Sequence, residues 1–253
     1  MNKPAKARIR RAFEQAAESY DQAAEIQRRI CNTLAARVTT AGAVRMLDAG
    51  CGTGFAHALL RRHAPAGEIV ALDLSTAMLA HAPSDCRKIA GDLENLPLAD
   101  ACVDLYWSSL AVQWCDLALS LREAHRVLQP GGQLALATLG PDTFHELRSA
   151  FSGVDAYRHT LGFSSPTEVS HTAASAGFTT VNLLEAKETA YYADFRQLLQ
   201  AVKAIGANQI GGGQRRGLMS RAAFFHAETA YEALRCNAGL PLSYHVLYLY
   251  ARA

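Results

Sequence analysis

The stretch from Val44 to Gly54, Val-Arg-Met-Leu-Asp-Ala-Gly-Cys-Gly-Thr-Gly, constrains the fold of this chain more than any other: a short apolar run, an acid near its end, then glycines at 50, 52 and 54 leading into a helix-like segment from Phe55. Glycine accepts positive φ and has no Cβ, so the backbone here can turn sharply and lie close against a ligand. The helix that follows offers unpaired N–H groups to an anion at the same turn. The pattern is D-x-G-x-G-x-G from Asp48, whereas a dinucleotide fold wants G-x-G-x-x-G, with its third glycine one place later.

Three further strand ends follow. Ile69-Val-Ala-Leu-Asp73 is a second apolar run closed by an acid. It lies about twenty residues past the glycines, where a Rossmann-like sheet puts the carboxylate for ribose hydroxyls. The plainer alternative for Asp73 is a second capping residue beside Ser75, which is placed to cap the next helix. Gly91-Asp92-Leu93 closes a third strand, and Val103-Asp-Leu-Tyr-Trp-Ser108 forms a fourth. Four strand ends are thus expected to converge on one ligand. The glycine pattern resembles motif I of the class I S-adenosylmethionine methyltransferases. That resemblance implies a loop of Gly50, Gly52 and Gly54 around the amino acid end of the cofactor, with Asp48 beside its ammonium. Asp73 would take the ribose, Asp92 and Leu93 the adenine edge, and Leu74 and Ser108 complete the cofactor set.

The order of elements predicts an α/β fold: a Rossmann-like, doubly wound, seven-stranded and mostly parallel sheet, with helices before it and a helical insertion within it. Ile9, Phe13, Ala16 and Tyr20 recur at helical spacing, as do Ile26, Ile30 and Leu34, which predicts two amphipathic helices ahead of the first strand. Leu117, Leu121, Ala124 and Leu128 form one face of a helix after Asp116, which Pro130-Gly-Gly stops before a fifth strand over Gln133 to Leu139. Phe178 to Leu184 and Tyr244 to Tyr250 are the sixth and seventh strands. The roughly fifty to sixty residues between them exceed an ordinary connection. They carry helices marked by Phe195, Leu198, Leu199, Val202 and Ile205 and by Ala222 to Leu234 after Ser220. The chain therefore divides into N-terminal helices over 1–40, a cofactor-binding core over 41–140 and a helical lid over 186–240, all in a single domain spanning 1–253.

With 253 residues, half of them hydrophobic, the chain can bury a large core. Its six cysteines show no C-x-x-C or paired metal spacing and its nine histidines no H-E-x-x-H, so neither a disulfide framework nor a metal is expected and the compartment is cytoplasmic. The basic segment Lys3 to Arg11 precedes no uninterrupted apolar run, and no stretch is long enough to span a bilayer. A net charge of +2 falls short of a dedicated nucleic-acid binder. Positive charge is nonetheless concentrated, at Lys3, Lys6, Arg8, Arg10 and Arg11, at Arg28 and Arg29, and at Arg215, Arg216 and Arg221 near Gly211-Gly-Gly213. These are solvated faces or a docking patch for an acidic partner.

The acceptor is read from the segment after the fourth strand. Nucleobase and amide methyltransferases usually carry Asn/Asp-Pro-Pro-Tyr/Phe there, whereas this chain has Trp107-Ser-Ser-Leu110, which favours a small-molecule or acyl acceptor. Ser108 to Cys115, S-S-L-A-V-Q-W-C, sharpens the resemblance to the malonyl-acyl-carrier-protein O-methyltransferases of biotin synthesis. It runs nearly end to end: Ala12-Phe13 with Tyr20, Leu47-Asp-Ala-Gly-Cys-Gly52, Ala90-Gly-Asp-Leu-Glu-Asn-Leu-Pro97, Val154-Asp155 with His159 and Phe163, Lys203-Ala-Ile-Gly-Ala207, and Pro241-Leu-Ser-Tyr-His245. Thr53 stands where some relatives carry Pro, a change the loop should tolerate. The resemblance implies methyl transfer to the free carboxylate of a malonyl thioester on an acidic acyl carrier protein, with no general base. Tyr20, Trp114, His159, Lys203, Tyr244 and His245 are the candidates for positioning that substrate. Two other functions are open on the sequence: methylation of a quinone precursor or a free acid such as aconitate, and a cofactor-binding assembly factor for a respiratory complex without methyl transfer.

Overall fold

The computed structural model describes residues 4–39, 44–152, 154, 160–204 and 220–253. Three helical segments precede the sheet: α1 (Lys6–Ala16), α2 (Tyr20–Ala23) and α3 (Glu25–Ala35). The sequence periodicity predicts two. The extra break falls at Ser19, where the backbone N–H and the hydroxyl both turn back to the Ala16 carbonyl, so Tyr20 opens α2 and does not continue α1.

Strand and helix then alternate through β1 (Arg45–Ala49), α4 (His57–His63), β2 (Glu68–Asp73), α5 (Thr76–His81), β3 (Arg87–Ala90), β4 (Val103–Ser109), a single 3-10 turn at Val112–Trp114, α6 (Leu117–Val127) and β5 (Leu128–Leu139). Ser75 caps α5, its hydroxyl accepting from the Met78 N–H, and Asp116 caps α6 by accepting from Leu119. The Pro130-Gly-Gly segment does more than stop α6. Leu128 already pairs with Val103, and the register resumes at Leu105 with Gln133, so proline and glycines form an irregularity inside β5, with Gly131 at φ +78°. The chain closes with α7 (His145–Phe151), α8 (Pro166–Ser175), β6 (Thr179–Tyr192), α9 (Phe195–Ala204), α10 (Arg221–Glu232) and β7 (Leu240–Arg252). β6 and β7 both outrun the strands read from sequence, and residues 186–192, placed by the sequence in the helical insertion, belong to β6.

The seven strands form one sheet in the order β3-β2-β1-β4-β5-β7-β6. β1 to β5 are parallel, and β7 runs antiparallel to both β5 and β6. Period-two alternation divides the core into two layers. Met46, Ile69, Leu105, Trp107, Ala135 and Tyr248 pack with Ile30, Leu60, Phe151, Phe195 and Tyr231 from α3, α4, α7, α9 and α10. Leu47, Val70, Tyr106, Leu136 and Leu249 face the other way, against Ile9, Leu121 and Val169 from α1, α6 and α8. Among the described residues no helix is long and apolar enough to cross a membrane.

Candidate functional site

The glycine turn is held in shape by the neighbouring strand. Asp48 and Ala49 lie in register with Ala71 and Leu72, and the amides of Gly50 and Cys51 both donate to the Leu72 carbonyl, at 2.7 and 3.0 Å. The Gly52 amide donates to Asp73 Oδ2 at 2.9 Å, and the Ser75 amide to Asp73 Oδ1 at 2.8 Å. Asp73 thus closes the turn from its own strand end. Burial raises the Asp73 pKa, and these backbone donors offset only part of the rise. Gly50 and Gly52 have φ of +74° and +55°. A Cβ at Gly50 would come within 2.3 Å of Ala111 Cβ, whereas one at Gly52 would meet nothing within 4 Å, because it would project into the open cleft.

That cleft lies over the ends of β1, β2 and β4 and is lined by Asp48, Gly50, Gly52, Asp73, Leu74, Asp92 and Leu93. Asp48 is 2% exposed, and its Oδ2 sits 3.2 Å from Nε2 of the equally buried His57 without the alignment of a hydrogen bond. Gly54, at φ +81°, packs under the cleft against Pro83 and the His57 ring. Ser108 is fully buried and donates to the Ala49 carbonyl at 2.8 Å, bracing the end of β1 from beneath, while its neighbours Trp107 and Ser109 face the cleft.

A second cavity adjoins the first, sharing Phe13, Tyr20, Gln27, Leu110 and Trp114 with it and adding Tyr244, Phe144 and Phe163. Of the six candidates for substrate positioning, the fold brings Tyr20, Trp114 and Tyr244 together here. Burial pushes the phenols of Tyr20 and Tyr244 well above the ordinary tyrosine range, with Asp73 and Asp21 adding to the effect on Tyr20. His245 does not join them. Successive strand residues face opposite ways, so it looks into a separate cavity, where its Nε2 meets Glu185 Oε2 at 2.8 Å. Lys203 is exposed on the last turn of α9, away from both cavities. His159, like Asp155, Arg215, Arg216 and Gly211 to Gly213, lies outside the described residues.

The N-terminal helices contribute residues that the motifs do not reveal. Lys6, Ile9, Phe13, Gln27 and Arg28 line the cleft, and the Phe13 ring stands edge to face with both Trp114 and Tyr20, centroids 5.7 and 6.3 Å away. Thr53 donates its hydroxyl to Asp21 Oδ1 at 2.8 Å and ties the glycine turn to α2. Lys6 is not part of an outward basic face: its ammonium lies 2.7 Å from Asp92 Oδ1 and 2.7 Å from Glu94 Oε1. Helical periodicity marked α1 and α3 as amphipathic, but which apolar face covers a cleft is decided only by the folded arrangement.

A methyltransferase domain family model matches residues 47–136, from β1 into β5. The sequence is 59% identical to the malonyl-[acyl-carrier protein] O-methyltransferase of Dechloromonas aromatica, over 99% of this chain and 95% of that protein. It is 39% identical to the protein of the same name from Herminiimonas arsenicoxydans, over 95% and 93% of the two chains. A solved putative methyltransferase from Bacillus halodurans shares the fold at a TM-score of 0.62 and 17% identity, covering 88% of this chain and 97% of that one. With the cleft, its glycine turn and relatives of this similarity along almost the whole length, the chain belongs to the malonyl-[acyl-carrier protein] O-methyltransferase family.

Proposed function

We propose that the chain transfers the methyl group of S-adenosylmethionine to the free carboxylate of a malonyl thioester on an acyl carrier protein, giving the methyl ester that primes biotin synthesis. The observation that carries this reading is the adjacency of the two cavities: a cleft edged with acids and a glycine turn shares a wall of Phe13, Tyr20 and Trp114 with an aromatic chamber. The cofactor fits the donors and acceptors present. Asp48 Oδ2 and Gln27 Oε1 are buried acceptors with no hydrogen-bond partner, as a cationic amino acid end would require, and the empty space at Gly52 admits a ligand against the backbone. Asp73, at the end of the neighbouring strand, would take the ribose hydroxyls, and Asp92 with Leu93 the adenine edge.

A malonyl carboxylate has a reference pKa near 4 and is ionised at about pH 7, so no side chain has to remove a proton. When bound, the cofactor supplies an electrophilic methyl on a sulfonium. The chain supplies placement. Tyr20 and Tyr244, protonated at about pH 7 as phenols are, would offer O–H donors to the carboxylate, and Trp114 and Phe13 would form an apolar wall that excludes water. Holding the carboxylate in place beside the bound cofactor would be worth several kcal/mol of barrier. Desolvation of the anion adds to this.

The test is mass spectrometry of malonyl-carrier protein after incubation with enzyme and S-adenosylmethionine. One added methyl on the malonyl group, with none on free malonate or aconitate, is the expected result. Binding of S-adenosylhomocysteine without methylation of any acyl carrier would overturn the reading in favour of a non-catalytic cofactor-binding role.

A further inference from the structure

Lys6 occupies an unusual place. Its ammonium touches Asp92 Oδ1 and Glu94 Oε1 at 2.7 Å each and approaches Cys115 Sγ at 3.6 Å. Those three partners bring their oxygen and sulfur atoms within 4.8 Å of one another, close enough to hold a cation, and the chain's own lysine fills the position. Burial works against the lysine charge, but Cys115, Asp92 and Glu94 outweigh it and push its pKa up. Lys6 is thus a half-buried cation held between two carboxylates. Two carboxylates at this separation would repel each other and turn toward water without it.

The direction of the contacts gives the lysine a task. Both the Lys6 ammonium and the Glu94 amide donate to Oδ1 of Asp92, at 2.7 and 3.0 Å, and among the described residues no hydrogen bond reaches Oδ2. One oxygen is anchored and the other is left for a donor in the cleft. Lys6, Ile9 and Phe13 share a face of α1, at i, i+3 and i+7. The lysine end of that face lies on Asp92, Ile9 is buried, and the phenylalanine end lies on Trp114 and Tyr20. The helix thus crosses the cleft from its Asp92 end to the aromatic chamber.

We propose that Lys6 is a positioning residue for the nucleobase end of the cofactor: it holds Asp92 with one carboxylate oxygen free for an exocyclic amino donor and pins α1 across the cleft. This rests on the assignment of Asp92 to the adenine edge. The purine recognised is one that presents an amino donor there, and its deaminated form, with a carbonyl in that place, faces an anionic oxygen and is rejected.

The experiment titrates the full chain, as wild type, Lys6→Arg and Lys6→Met, with S-adenosylhomocysteine and with S-inosylhomocysteine by calorimetry, and follows amide exchange over residues 5–16. Wild type should prefer the adenosyl compound. Lys6→Met should bind it about tenfold to a hundredfold more weakly while its affinity for the inosyl compound changes little, and Lys6→Arg should recover most of the loss. Exchange should rise in α1 of Lys6→Met and stay unchanged in the sheet. Lys6→Gln serves if the methionine variant does not fold. Unchanged preference, or equal weakening of both compounds, overturns the proposal. Failure of wild type to bind S-adenosylhomocysteine at all would instead overturn the cofactor reading beneath it.

Discussion

Asp73 joins two tasks in one side chain. Its carboxylate accepts the Gly52 and Ser75 amides, so it shapes the turn whose open face it also borders. On the proposed ribose role, replacement by alanine removes a charged acceptor worth about 1.5 to 3 kcal/mol, and it takes away the partner of the Gly52 amide. Calorimetry with S-adenosylhomocysteine should show Asp73→Ala binding roughly ten- to hundredfold more weakly, and unchanged affinity would remove the ribose assignment. Gly52→Val should be worse, since it adds a branched side chain at φ +55° and aims it into the cleft. At this scale the sequence was legible where the cleft is lined by neighbouring residues: the glycine turn and the acids at strand ends. Lys6 was not legible, because its place comes from a contact across the fold, reaching Asp92 over 86 positions. Ser108 sits on the right strand, but its side chain braces β1 where that of Ser109 faces the cleft.

Among elements, α1 separates two kinds of positive charge. Lys6 is committed to Asp92 and Glu94, whereas Arg10 and Arg11 are exposed, Arg10 in an i,i+4 ion pair with Glu14 at 3.4 Å. If the outer arginines meet an acidic acyl carrier, complementary charge acts mainly on the encounter rate. Arg10→Glu with Arg11→Glu should lower kcat/KM for malonyl-carrier protein more at low salt than at high, with malonyl-CoA little affected. Equal loss on both substrates would assign the helix a structural role only. The helices between β6 and β7 are anchored in the core: Phe195 and Leu198 of α9 and Tyr231 of α10 are fully buried. Leu198→Ala is expected to cost about 2 to 5 kcal/mol, read as a lower urea midpoint. β1 and β2 were legible from apolar runs with an acid at or near their ends. The second half of β6 was not, since Glu185-Ala-Lys-Glu188 is made of strong helix formers, and twelve register pairs with β7, from Thr179–Arg252 to Tyr192–Leu240, override that local preference.

The whole molecule carries a pH signature in its tyrosines. Burial raises the phenols of Tyr20, Tyr106, Tyr231 and Tyr244 far above the ordinary value near 10, and those of Tyr248 and Tyr250 to about 12. The folded chain thus keeps protons that the unfolded chain gives up, so their contribution to stability is complete below about pH 10 and is lost as pH rises through the folded values. Circular dichroism and tyrosinate absorbance should change together in one alkaline transition, and ionisation of these residues with the fold intact would contradict it. The order of the sheet has a further consequence, for the chain while it is being made. β7 supplies the antiparallel partner of both β5 and β6, yet it is synthesised after every other strand. Until it emerges, β5 is an open edge and β6 has no neighbour, so the growing chain holds its sheet in two unjoined parts. Such edges invite pairing with other chains, so the interval before β7 is added is the one in which the growing chain is open to misassembly at β5 and β6.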